Sequence, residues 1–351
     1  MPVDVPTRAA VRTPRRHPPA RLGGWAGRSA VLVAGLLLLV LVGAVSLLVG
    51  AGGLSAHAVI GTLRDGADGS RSAIIVWDMR VTRTLVAAIV GTALGIAGAL
   101  MQAMTRNPLA DPGLLGVTAG AGLAVVITSG VFGVTAFLSN VWPALLGALV
   151  VSLAVYAIGF AAGRDSPTTL VLAGVAITSA LTGVTTGLAL IDATRFNTLR
   201  TWMAGSVQGR DMSAIAQTSV LIAIGVVVAF LIARPLSQLA LGDDLARALG
   251  VRIGATRIAG GAAILLLAGV GTAAAGPIAF IGLMVPHLAR ALVGPDLRWA
   301  FAYSGVAGAI VLVAADIAGR LVIWPAEAPA GLLTAIIGAP FLAVIARGAM
   351  R

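Results

Sequence analysis

Residues 30–49 read Ala-Val-Leu-Val-Ala-Gly-Leu-Leu-Leu-Leu-Val-Leu-Val-Gly-Ala-Val-Ser-Leu-Leu-Val, a run without one charged side chain. Coiled as a helix, a run of this length reaches about 30 Å, the thickness of a bilayer's hydrocarbon core. The rest of the chain is of the same kind. Of its 351 residues 58% are hydrophobic and only 11% charged, with a mean hydropathy of +1.01. A soluble domain carries about 25% charged residues. So few charges cannot cover its surface, and the surplus apolar area needs lipid as its solvent. The reading is an all-α, polytopic membrane protein.

The chain has no cysteine, which excludes disulfides and thiolate metal sites and leaves the redox compartment open. All 24 basic residues are arginine. Without a lysine there is no Walker A loop, so the chain does not bind ATP in that way. The net charge of +11 reads as membrane topology rather than nucleic-acid binding, because the arginines sit between apolar runs.

Residues 1–28 hold Arg8, Arg12, Arg15, Arg16, Arg21 and Arg28 among several prolines, with Asp4 the only acid. They read as a disordered, basic tail suited to anionic membrane lipid, and residues 29–351 as the transmembrane domain. Ser-Ala-His-Ala at 55–58 has the form of a signal cleavage site. The apolar run before it exceeds the usual h-region of about 7–15 residues, so it is read as a retained first span. Residues 51–83 form a polar connection. Further apolar runs lie at 84–104, 114–132, 137–161, 168–190, 213–233, 256–275, 277–293, 299–319 and 331–346, giving about ten spans at ~20 residues each. The Gly276-Pro277 break either divides two spans or kinks one. With the N-terminus inside, sixteen of the 24 arginines fall on the cytoplasmic side, which predicts both termini in the cytoplasm of a multi-pass cell-membrane protein. Gly91 with Gly95, and Gly183 with Gly187, have the spacing that lets helix backbones approach closely.

Three charged stretches are too specific to be spacers. The first is Asp78-Met79-Arg80-Val81-Thr82-Arg83, followed by Thr-Arg-Asn-Pro-Leu-Ala-Asp-Pro-Gly-Leu-Leu-Gly at 105–116, where the prolines forbid a continuous helix. Asn107 and Asp111 can there accept from nearby backbone N–H groups. The second is Leu-Gly-Asp-Asp-Leu-Ala-Arg-Ala-Leu-Gly-Val at 241–251, a short amphipathic helical segment between Gly242 and Gly250. Its acids, Asp243 and Asp244, precede Arg247 as the helix dipole prefers. Leu241, Leu245 and Leu249 make one narrow apolar stripe, which suits a partner's cleft or a lipid interface. The third is Gly-Pro-Ile-Ala-Phe-Ile-Gly-Leu-Met-Val-Pro-His-Leu-Ala-Arg-Ala-Leu-Val-Gly at 276–294.

At these places, and through Ala-Asp-Ile-Ala-Gly-Arg at 315–320 and Glu-Ala-Pro-Ala-Gly-Leu-Leu-Thr-Ala-Ile-Ile-Gly-Ala-Pro-Phe at 327–341, the sequence resembles the permease family of ABC importers for ferric siderophores, haem and cobalamin. The resemblance runs from residue 77 to the C-terminus. It implies ten spans in two inverted four-helix halves, 84–190 and 256–346, and pairing with a second permease subunit, identical or related. It also implies ABC ATPase subunits on the cytoplasmic face and a substrate-binding protein outside, with import of an iron–siderophore-type substrate and no cofactor. Arg80, Arg83 and Arg320 match outer-face arginines that pair with acids of the binding protein, a role suited to the rigid guanidinium fork. The alternative is that they anchor helix ends at the headgroups. Where the family commonly has Leu-Pro between the first two arginines, this chain has Val81-Thr82, which loosens the expected aim of Arg80. Gly242, Asp243, Asp244, Leu245, Ala246, Arg247, Ala248, Leu249 and Gly250 match the segment that couples to the ATPase.

Ionisable groups inside the membrane need partners. Asp316 and Arg320 share a helix face at i,i+4 spacing and predict an internal ion pair; proton coupling through Asp316, in an ion-driven secondary transporter, is the competing account. His287, beside Pro286 and near Arg290, reads as a hydrogen-bonded structural residue at a helix start. Metal ligation is not expected, since the other histidines are His17 and His57. No nucleophile elbow, His/acid pair or HExxH motif is present, and Gly205-Ser206-Val207-Gln208-Gly209 lacks the Gly-x-Ser-x-Gly order. The chain reads as a transport subunit, not an enzyme.

Overall fold

A computed structural model describes residues 24–50, 53–133, 137–161, 167–210, 212–324 and 326–349, and all regular elements among them are helical. Helix α1 (Gly24–Leu48) is followed by α2 (Ala56–Asp65). Then α3 (Arg71–Ala73) runs through a π-helical stretch, Ile74–Val81, into α4 (Thr82–Thr105). A 3₁₀ turn (Pro112–Leu115) leads to α5 (Val117–Phe132), α6 (Phe137–Ala161), α7 (Pro167–Ala189), α8 (Ala193–Met203), α9 (Met212–Leu239) and the short α10 (Asp243–Ala248). Next, α11 (Ile253–Ile264) passes through a π turn into α12 (Val270–Ala275), and α13 (Ile281–Val293), α14 (Leu297–Val322) and α15 (Ala330–Ala349) complete the order.

Among the described residues seven helices are long and apolar enough to cross a membrane, and three shorter apolar helices lie at 117–132, 281–293 and 330–344. Each apolar run read from the sequence falls on one of these. One connection differs from expectation. The stretch 51–83 contains α2, and from Arg71 onward it is the first part of the helix that becomes α4. The segment 191–210 contains α8. Residues 1–23 of the expected basic tail lie outside the described residues, and α1 already begins at Gly24. Trp25 there meets Trp299 edge-on with ring centroids 5.4 Å apart, and Arg28 pairs with Asp296 at 3.5 Å, so α1 starts beside the start of α14.

The centre of the fold is α4, packed antiparallel on α14 and crossed by α13. A Cβ on Gly91 would stand 2.4 Å from the Gly308 carbonyl oxygen, one on Gly95 2.1 Å from that of Ser304, and one on Gly98 1.9 Å from that of Gly282. No side chain fits those gaps, so the backbones touch, and dispersion across this contact holds the pair where no aqueous driving force exists. The second pair expected to act this way does not: Gly183 and Gly187 on α7 have nothing within 4 Å of a Cβ. Their face is open in the protomer.

The Gly276-Pro277 break divides two helices. Gly276 ends α12 at φ +74°, and Phe280 opens α13 at φ +68°. Non-helical backbone at membrane depth must satisfy its polar groups within the protein. Here Ser206 donates its N–H to the Ala275 carbonyl at 2.7 Å, and Gly331 donates to that of Gly205 at 2.9 Å. The α8–α9 connection is thereby stitched to the end of α12 and the start of α15.

Gly95→Ala is expected to lower the stability of the permease in detergent by about 1–3 kcal/mol through overpacking. Gly183→Ala, on the open face, should leave it unchanged or raise it by up to about 1 kcal/mol through helix propensity. Thermal unfolding of the two variants side by side checks both.

Candidate functional site

The α4–α14 register sets more than the glycines. Arg83 lies as far before Gly91 as Asp316 lies after Gly308, so the antiparallel pair brings them together. Arg83 donates Nε to both Asp316 oxygens at 2.8 and 2.9 Å and sets Nη2 2.7 Å from Oδ1. Arg320, one turn beyond Asp316 on α14, bonds the same carboxylate through Nε at 3.0 Å and through Nη2. The predicted Asp316–Arg320 pair is present, with Arg83 as a third member. Arg83 Nη1 pairs with Glu327, which also accepts from the Gln208 side-chain amide.

The remaining guanidinium donors reach the end of α1. Arg320 donates to the carbonyls of Ser46 at 2.7 Å and Val49 at 2.8 Å. Arg80 donates to those of Leu47 at 2.8 Å and Gly50 at 3.1 Å. The last carbonyls of a helix lack intrahelical partners and carry its negative end, so arginines there satisfy both deficits. In the protomer Arg80 and Arg320 spend most of their donors inside the protein, although both also border the adjoining cavity. Arg320 is 1% and Arg80 4% exposed, and both serve as helix-end anchors. Of the three, Arg83 is the most exposed, at 11% of its side chain. At Val81-Thr82, Thr82 donates its hydroxyl to the Trp77 carbonyl at 2.9 Å, and the helix runs unbroken from Arg71 through the π stretch that carries Arg80.

Beside this cluster lies a cavity of about 1060 Å³, lined by Asp78, Arg80, Arg83, Arg210, Arg320 and Glu327 and by Asn197 and Thr201 of α8. Helix α8 is started by Asp192, whose side chain accepts from the Arg195 N–H; that bond holds the carboxyl below the usual range. Arg210 donates to the carbonyls of Ala274, Gln208 and Ser206, each at 2.7 Å, which holds the Ser206–Arg210 stretch against the end of α12. Sequence reasoning missed Glu327, Gln208, Arg210 and α8 as parts of one site. The available signal was a set of polar side chains at 192–210 too dense for a span.

At the opposite end of α4 stands α10. Gly242 at φ +112° and Gly250 at φ +81° bound it, as the sequence predicts. Its residues divide by face. Asp243 takes Arg257 at 2.9 Å and Arg106 at 3.4 Å, and Ala246 is fully buried, so these two hold α10 to the body. Leu241, Leu245 and Leu249 are 63%, 49% and 52% exposed. Asp244 and Arg247 form an exposed pair at 2.9 Å, a kind that contributes little. Ala248 is exposed as well.

Arg290 donates to the Gln102 side-chain oxygen, while the Gln102 amide reaches the Gly282 and Leu283 carbonyls at 3.2 Å each, tying α13 to α4. His287 lies within α13 rather than at its start, and its ring meets Phe341 of α15 edge-on at 6.3 Å. In the loop after α4, Asn107 accepts from the Leu109 N–H at 2.9 Å and Asp111 from the Gly113 N–H at 2.8 Å, while burial pushes the Asp111 carboxyl up. Among the described residues no three His, Cys, Asp or Glu side chains gather as a metal site.

Removing one member of a buried ion cluster leaves the others uncompensated. Asp316→Asn should therefore lower thermal stability by about 3–5 kcal/mol. Asp244→Asn should change it by less than about 0.5 kcal/mol.

Residues 37–348 match the FecCD transport family. The chain is 44% identical over 327 residues to the ferric enterobactin transport system permease protein FepD of Escherichia coli (strain K12), an alignment covering 93% of this chain and 97% of that one. It is 41% identical over 326 residues to the iron(3+)-hydroxamate import system permease protein FhuB of Bacillus subtilis (strain 168), covering 92% and 84%. In fold it is similar to an inward-facing structure described as a metal-chelate type ABC transporter, with a TM-score of 0.78 over 91% of this chain and 99% of that chain at 24% identity. The chain belongs to the FecCD transport family, and it is a multi-pass membrane permease, a transport subunit rather than an enzyme.

Proposed function

We propose that the chain is the permease subunit of an ATP-driven importer for an iron–siderophore-type substrate, working by alternating access beside a second permease subunit, identical or related. The observation that carries the reading is the three-leucine stripe of α10. Asp243 locks the segment to α4 and α11 from below, while Leu241, Leu245 and Leu249 stand uncovered above. A rigidly seated helix with an unpartnered apolar edge suits the cleft of an ATPase subunit, and motion there reaches α4 directly through Arg106. The names of the relatives, ferric enterobactin and iron(3+)-hydroxamate systems, support an iron chelate as substrate.

The same reading makes the α10 end cytoplasmic, with both termini on that side and the cavity facing a substrate-binding protein. The seven long and three shorter apolar helices then serve as ten spans in two inverted halves, 84–190 and 256–346. The open face of α7 around Gly183 and Gly187 suits the approach of the second subunit or the path between the two. Asp316, which an ion-driven mechanism would use, is bonded by two arginines, so nothing in its setting favours a proton relay. No covalent step is required of any residue.

Co-purification in mild detergent tests the proposal. An ATPase subunit should accompany the wild-type chain and be lost from Leu245→Glu/Leu249→Glu, whose stripe is exposed and whose fold should persist. Retention of the ATPase by the charged variant would remove α10 from the contact. Absence of any ATPase from the folded wild type would overturn the importer reading.

A further inference from the structure

The ion cluster holds three arginines, Arg80, Arg83 and Arg320, and two carboxylates, Asp316 and Glu327, and the acids differ in kind. Asp316 is 1% exposed, sits within α14, and is bonded by Arg83 and Arg320 together. It cannot leave without breaking up the helix pair. Glu327 has a side chain 20% exposed, lies on the connection between α14 and α15, and lines the cavity. Arg83, 11% exposed, lines the same cavity and offers Glu327 its Nη1 edge. Among the described ion pairs of the cluster, Arg83–Glu327 is the one with both partners on the cavity wall, since Asp316 does not line it.

We propose that Glu327 is a resident stand-in for a partner's acid: an acidic side chain of the substrate-binding protein takes its place on Arg83, and the release of Glu327 transmits docking to α15. This rests on the reading that a binding protein docks at the cavity end. Exchange of one carboxylate for another preserves the charge balance of a poorly solvated cluster, whereas a neutral or basic group would leave Arg83 uncompensated. The partner contact is therefore acidic. Glu327 also holds Gln208, and its neighbour Ala328 donates to the Gly319 carbonyl at 2.9 Å, just before α15. Displacing Glu327 removes the side-chain tie between the α8–α9 and α14–α15 connections and leaves the backbone bond from Gly331 to Gly205 as their remaining described link. A resident competitor also weakens docking, so removing its charge should strengthen it.

The test uses the assembled permease and ATPase in lipid nanodiscs, titrated with the binding protein. Glu327→Gln keeps hydrogen-bonding capacity and removes the charge. It should tighten docking by about fivefold or more, the usual lower range for coupled sites, and raise ATP hydrolysis in the absence of the binding protein. Arg83→Gln should weaken docking, and adding Glu327→Gln to it should then have no effect on affinity. If Arg83→Gln weakens docking while Glu327→Gln leaves it unchanged or weaker, the exchange is wrong and the docking site stands. If Arg83→Gln does not alter affinity, Arg83 is not the contact, and the docking reading and the exchange fail together. If Glu327→Gln tightens docking equally with and without Arg83, Glu327 does not act through Arg83, and the exchange is again overturned.

Discussion

The backbone contact between α4 and α14 is the constraint on which the rest of this permease depends. Two helices that touch at Gly91, Gly95 and Gly308 admit no side chain at those positions, because a Cβ there would stand 2.1–2.4 Å from a carbonyl oxygen of the other helix. That fixed register decides which residues meet at the ends. Arg83 arrives beside Asp316, and α1 is drawn in by Arg80 and Arg320. At the other end the register ends at Arg106, which caps α4 in a left-handed conformation and reaches across to Leu239 and Asp243. One helix therefore joins the cavity to the segment that carries the exposed leucines. A rigid strut of this kind suits a machine in which work done at one membrane face changes access at the other.

The charges inside the fold are consistent with that economy. Burying three guanidinium groups and two carboxylates has a large desolvation cost, and only mutual pairing and backbone acceptors offset it. Here nearly every guanidinium edge meets a carboxylate or a helix-end carbonyl. The cluster consequently contributes specificity of position more than net stability. The Arg83–Glu327 contact differs from the rest in that its carboxylate faces the cavity rather than the helix core. Uncharged polar side chains, Asn197 and Thr201 among them, complete the cavity lining.

Sequence reading was strongest where the information is local. Helical period and charge-free length found the apolar runs. Pro277 with Gly276 marked the division of α12 from α13 without deciding its nature, and the i,i+4 spacing anticipated the Asp316–Arg320 pair. Gly242 and Gly250 bounded α10 because a positive φ was needed at both. What escaped was the tertiary register. Nothing in the order of residues states that Arg83 faces Asp316, that Arg80 turns toward α1, or that Gly91 and Gly95 meet a neighbour while Gly183 and Gly187 do not. Helix α8 and the first turns leading into α4 escaped for a different reason: they are helices whose polar faces line a cavity, so their composition imitates a connection.

The account stands on energy entering from ATP at the α10 end rather than from an ion gradient through Asp316. Its most direct test is transport in proteoliposomes holding the permease with its ATPase and binding protein, with uptake of a labelled ferric siderophore followed with and without enclosed ATP. Uptake that requires ATP and continues when all ion gradients are collapsed is the predicted result. Uptake that proceeds without ATP and follows an imposed proton or sodium gradient would contradict it.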